Sequence, residues 1–264
     1  MRFPETVYSA YPAFARKVKN ERRYIFDIQQ EVFLEDVLET SESRLLTLPQ
    51  GTLLWRARHG FNGYTQKKIG CMSCEVEIPH DIDGMKPRRG RSKEGRVNAK
   101  GMSCLYCSTD RDTAMSELRP WIGAQITVAE MLTLRPLKLV DCTMDHLTGM
   151  QLILDSVLAR AELDHDKLLW ADINAAFAEP VTDSEDSADY APTQVLAEAF
   201  RIHGFEGIKY GSKVGEGASI ALFDLDAAKV VSRRVCEAKS RVLTFEEVSV
   251  TFYESEHPSP KEQD

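Results

Sequence analysis

The sequence predicts an α+β protein, because strand-like runs lie towards both ends of the chain and amphipathic helical segments lie between them. Two further observations bound that reading. At 264 residues the chain can bury a substantial core in one domain. Its 43% hydrophobic and 28% charged content is that of an ordinary globular protein.

The elements follow in order. Residues 1–48 read as an N-terminal extension with one helix from Arg23 to Leu38, since Ile25, Ile28, Val32, Phe33 and Leu38 lie near helical spacing. The main domain is expected over 49–253, and 254–264 lie beyond it. Thr52 to Arg58 reads as a buried strand, and 60–103, rich in Gly, Pro, Lys and Arg, as a long functional loop. A strand at Ser103 to Ser108 precedes a short helix capped by Asp112 and stopped by Pro120. Strands follow at Gln125 to Ala129 and Leu137 to Cys142, then helices at 149–163 and 167–178. Thr193 is the expected cap of a helix from Gln194 to His203, with Gly204 as its terminating residue. Strands at Glu206 to Tyr210, Ser219 to Phe223 and Arg241 to Tyr253 complete the domain, and 254–264 read as a frayed tail.

A formal charge of −8 argues against a protein that coats nucleic acid. No apolar run approaches the ~18 residues of a membrane span, and the N-terminus turns charged early, so a cytoplasmic protein is expected. The basic run Lys86, Arg88, Arg89, Arg91, Lys93, Arg96 and Lys100 reads either as a solvated loop or as an anion-binding one. Cys71 and Cys74 with Cys104 and Cys107 have the spacing of a zinc site. The second pair falls in a strand, however, where residues three apart face opposite ways, so no metal is expected while zinc stays an alternative.

Four local features carry chemistry. Arg56 interrupts an apolar strand, Tyr106 follows Gly95-Arg96-Val97-Asn98, Glu117 sits on the helix after the tyrosine strand, and Ser212 follows the strand Glu206 to Tyr210. Each alone has an ordinary structural explanation: a salt-bridged arginine, a helix-dipole carboxylate, a turn serine. Trp55 and Tyr64 read as packing or loop residues.

Taken in order, these segments resemble the RES-domain family, named for its arginine, glutamate and serine. Leu54-Trp55-Arg56, Gly95-Arg96-x-Asn98, Leu105-Tyr106-x-Ser108, Thr113-Ala114-x-x-Glu117-x-Arg119-Pro120, Tyr190-x-Pro192-Thr193-Gln194 and Gly207-Ile208-x-Tyr210-x-Ser212 are colinear with its elements, from about Gly51 to Val235. The resemblance implies an ADP-ribosyltransferase-like core of two small packed sheets with flanking helices. It implies cleavage of the nicotinamide–ribose bond of NAD, with NAD as substrate rather than cofactor, by a toxin that an Xre-type antitoxin neutralises. Water or phosphate is the expected acceptor; a protein side chain, or an inactive binding module, is the alternative. Glu117, Arg56, Tyr106 and Ser212 are the catalytic candidates that the resemblance implies, and Arg96, Asn98 and Gln194 the substrate-binding or supporting ones.

The chemistry agrees with these residue types. Nicotinamide leaves as a neutral molecule, so the barrier is positive charge on the ribose, which one fixed carboxylate can steady. Planar guanidinium groups grip a pyrophosphate, and a tyrosine offers a flat face and a polar tip.

Overall fold

The computed structural model describes residues 10–69, 72–144, 154, 164–179 and 187–240. The architecture is α+β: a large sheet, a small two-stranded sheet and flanking helices. Ten strands are described: β1 (Leu45–Leu48), β2 (Leu53–His59), β3 (Gly63–Ile69), β4 (Met72–Ile78), β5 (Leu105–Ser108), β6 (Gln125–Thr133), β7 (Leu137–Asp141), β8 (Gly207–Gly211), β9 (Ala218–Leu222) and β10 (Ala228–Glu237). The helices are α1 (Ala10–Asn20), α2 (Ile28–Ser41), α3 (Arg111–Ser116), α4 (His165–Ala178) and α5 (Ala191–Ile202).

The large sheet has the order β1-β7-β8-β9-β5-β2-β6-β10. It is antiparallel except where β7 runs parallel to β8. Its weakest seam lies in the middle, where β5 and β2 pair at a single position, Trp55 with Ser108. One half, β1-β7-β8-β9-β5, carries α1, α2, α4 and α5 on one face, around a core that includes Phe14, Phe33, Trp170, Phe200 and Ile208. A second core joins Leu54 and Met131 from one half to Leu105, Leu139 and Leu222 from the other, so the sheet curls round it.

Several local expectations are corrected. The 60–103 segment is not a long irregular loop: it contains the β3–β4 hairpin, paired in register from Gly63 with Ile78 to Ile69 with Met72. The first helix of the extension begins at Ala10, and Arg23 to Phe26 precede α2 rather than belong to it. Asp27 caps α2 through a reciprocal pair with Gln30. Asp110, not Asp112, caps α3, accepting from the Thr113 amide. That helix stops at Ser116, before Pro120. Thr193 lies inside α5, which starts at Ala191 with Pro192 in its first turn, where a missing N–H costs nothing. Gly204 does end α5, with φ of +100°. β1 and β10 were not foreseen. Leu154 apart, the expected helix 149–163 and the strand and tail from Arg241 onwards fall outside the described residues.

Candidate functional site

A cavity of about 310 Å³ opens at the seam between β2 and β5. Residues 55–57 of β2 and 106–108 of β5 form its floor, with Gly95, Arg96, Ala114, Glu117, Tyr190, Tyr210 and Ser219 around it. Arg56, Arg96, Tyr106 and Glu117 are thus brought together from four separated segments. Ser212 reaches the same group indirectly, because its hydroxyl donates to Glu117 Oε1 at 2.7 Å.

Glu117 is not within the helix. It is the C-cap of α3, one residue past the last helical turn. Carboxylates are favoured at the opposite, N-terminal end, so a helix-dipole role is excluded by position. Arg119, two residues on, has φ of +48°, a left-handed conformation that costs an L residue about 1–2 kcal/mol. Oε1 of Glu117 accepts from Ser212 at 2.7 Å and from Ser219 at 3.2 Å. Its other oxygen, Oε2, lies 3.5 Å from Arg96 Nη1, and both side chains are mostly buried.

The loop carrying Ser212 is pressed against α3. The Gly217 amide donates to Thr113 Oγ1 at 3.0 Å and the Ala218 amide to Thr109 Oγ1 at 2.9 Å. A Cβ at Gly217 would overlap the Asp110 carboxylate, so only glycine permits this approach.

Arg56 is a staple. Its Nε donates to the Met85 carbonyl at 2.6 Å and its Nη1 to the Tyr106 carbonyl at 2.7 Å, across the seam. Burial lowers its pKa, yet a guanidinium stays charged at neutral pH. Arg96 instead faces Glu117, and it lines the cavity together with Tyr210.

Tyr106 has its hydroxyl engaged: it donates to Asn98 Oδ1 at 2.7 Å and accepts from the Val97 amide at 3.0 Å. Its ring face is what remains for a ligand. Burial raises the pKa of both Tyr106 and Tyr210, keeping the two phenols protonated. Asn98 is buried, and its Nδ2 donates to the carbonyls of Lys93, Ala99 and Met102. Gln194 donates to the carbonyls of Gly95 and Asn98. Asn98 and Gln194 therefore brace the 95–98 turn rather than reach into the cavity. Gly95 is fixed for the same reason, since a Cβ there would lie 2.7 Å from the Tyr106 hydroxyl.

The basic run splits in two. Arg89 and Lys86 pair with Asp226 at 2.7 and 3.6 Å, whereas Arg96 turns inward. Cys104 and Cys107 face different cores on opposite sides of the sheet, so the two cannot share a metal ion. No group of three or more potential metal ligands occurs among the described residues, and Cys71 lies outside them. Sequence reasoning missed Trp55 as a lining residue, and also Tyr210 and Ser219. The signal for Ser219 was a hydroxyl at the buried start of an apolar strand, which must find a partner.

The family model of the RES domain matches residues 75–245. The chain belongs to the RES-domain family. Arg96, Asn98, Tyr106, Glu117, Gln194 and Ser212 lie within the matched RES segment, and Arg56 precedes it. A solved structure, the crystal structure of the M. tuberculosis MbcT–MbcA toxin–antitoxin complex, is similar at 12% identity with a TM-score of 0.37. The match covers 78% of this RES chain and 93% of that one. No curated protein matches. Among the described residues no helix is long and apolar enough to cross a membrane.

Proposed function

We propose that this RES protein cleaves the nicotinamide–ribose bond of NAD, with Glu117 as the charge that steadies the ribose cation. The observation supporting this reading is the setting of Glu117. It is a carboxylate at a helix end that disfavours it, tied through Oε1 to two serines, and set in a cavity with two guanidinium groups. In the proposed reaction the glycosidic electron pair leaves with the nicotinamide nitrogen, and the pyridinium becomes neutral. The ribose is left as an oxocarbenium-like centre opposite the carboxylate. Water or phosphate then adds to that carbon. The Tyr106 face packs against the nicotinamide end and Arg96 meets the pyrophosphate. Arg56 holds the seam open and offers its remaining donors to the same phosphates.

The cavity, about 310 Å³, is at the lower end of small-ligand sites. It suits the nicotinamide ribose half, with the adenosine half outside. An ADP-ribosyltransferase-like ancestry, a role as a toxin that depletes NAD, and control by an Xre-type antitoxin belong to the same proposal.

The test is incubation of purified protein with NAD, with and without inorganic phosphate, followed by chromatography. Free nicotinamide with ADP-ribose, or with its phosphate ester, supports the proposal and identifies the acceptor. Label moving from NAD onto a protein band means transfer instead, and no nicotinamide release means a binding module. Glu117→Gln must lower the release by about 10²–10³.

A further inference from the structure

We infer that Ser219 is a second positioning residue for Glu117, and that Ser212 and Ser219 together select which carboxylate oxygen is left to act. The inference deepens the proposed function and rests on it only for its kinetic part.

Ser219 is the second residue of β9, an otherwise apolar strand, and is buried. It is flanked on one side by Tyr210 of β8 and on the other by Ser108 of β5. A hydroxyl buried at this depth costs free energy unless hydrogen-bonded. The structure gives it Glu117 Oε1 at 3.2 Å. Ser212 donates to the same oxygen at 2.7 Å from the far side of the loop. Two donors occupy both lone pairs of Oε1. Oε2, which has no hydroxyl partner, faces Arg96 at a loose 3.5 Å. The carboxylate is therefore locked by one oxygen and presented by the other.

The two serines do not arrive together by sequence proximity alone. Ser212 comes from the loop held on α3 by the Gly217 amide and Thr113, and Ser219 from the sheet itself. One fixes Glu117 to the loop and the other fixes it to β9 of the large sheet. A carboxylate held by a single hydrogen bond swings about that bond, whereas two donors in different directions fix its plane. Preorganisation of this kind acts on the chemical step and leaves ground-state binding unchanged.

The experiment compares parent, Ser219→Ala and Ser219→Thr. NAD turnover is measured alongside thermal unfolding and the Cδ resonance of Glu117 in protein labelled with ¹³C-glutamate, assigned through Glu117→Gln. Ser219→Ala is expected to lower kcat roughly 3- to 30-fold with KM within about twofold, and Ser219→Thr to recover most of kcat. The Glu117 resonance should move in Ser219→Ala and return in Ser219→Thr. A resonance unmoved by Ser219→Ala in folded protein overturns the inference whatever NAD does. So does a kcat loss that the threonine hydroxyl fails to recover. A parent protein inert towards NAD defeats the proposed function alone, and the resonance still decides the role of Ser219.

Discussion

On one wall of the cavity, the 95–98 turn has its polar groups satisfied from within. Asn98 serves three carbonyls and the Tyr106 hydroxyl, Gln194 serves two more carbonyls, and Gly95 leaves room for the ring. Against it stands Glu117, whose Oε2 faces the Arg96 guanidinium of that turn at 3.5 Å, a distance too long for a tight pair, so donor and acceptor capacity stay turned towards each other. The difference teaches which residues shape the site and which act in it. A saturated network makes a rigid platform. A carboxylate and a guanidinium held apart at a helix end remain available to a ligand.

Replacing Glu117 by glutamine should separate the two walls most sharply. Nicotinamide release is expected to fall by about 10²–10³ while the unfolding midpoint stays close to the parent's. A midpoint that collapsed with activity would place Glu117 on the structural side. Asn98→Ala should do the reverse. It strands a buried tyrosine hydroxyl and three carbonyls, at a cost of about 2–3 kcal/mol. That is a drop of roughly 5–10 °C in calorimetric Tm for a chain of this size, with turnover per folded molecule little changed. Tyr106→Phe, which keeps the ring face and loses the bridge to Val97 and Asn98, is the smallest step. About 1 kcal/mol of stability and less than fivefold in turnover are expected. A much larger kinetic loss would show that the hydroxyl, not the face, meets the substrate.

How far the sequence foretold this arrangement depends on what each residue had to satisfy. β5 and β9 were legible because apolar runs bounded by turns become buried strands, whereas β2 is a strand where one is expected but buries only Leu54, the rest of it being half-buried or exposed. The β3–β4 hairpin was not legible, because the run Tyr64-Thr-Gln-Lys-Lys has no apolar–polar alternation to mark a strand period. β10 was missed for a related reason: Ser232, Arg233 and Arg234 interrupt its apolar residues, which suits the outermost strand of the sheet. In the site, Arg56, Arg96, Tyr106, Glu117 and Ser212 were picked out by their order along the chain. Their roles were less visible, since the bonds of Arg56 to two carbonyls depend on how far β2 and β5 diverge, which spacing does not encode. Ser219 was hidden because a small hydroxyl in Ala-Ser-Ile-Ala-Leu looks like filler until Glu117 is placed beside it.

The lone rung between Trp55 and Ser108 has a mechanical consequence. Beyond it, a side chain takes over the task of the missing backbone ladder, because the Arg56 guanidinium spans the gap to the Tyr106 carbonyl. The aperture between the two halves is thereby calibrated by the reach of one arginine. Lysine in its place would bring a single ammonium on a flexible stem, where the planar fork now reaches two carbonyls at once, and the halves would gain a hinge.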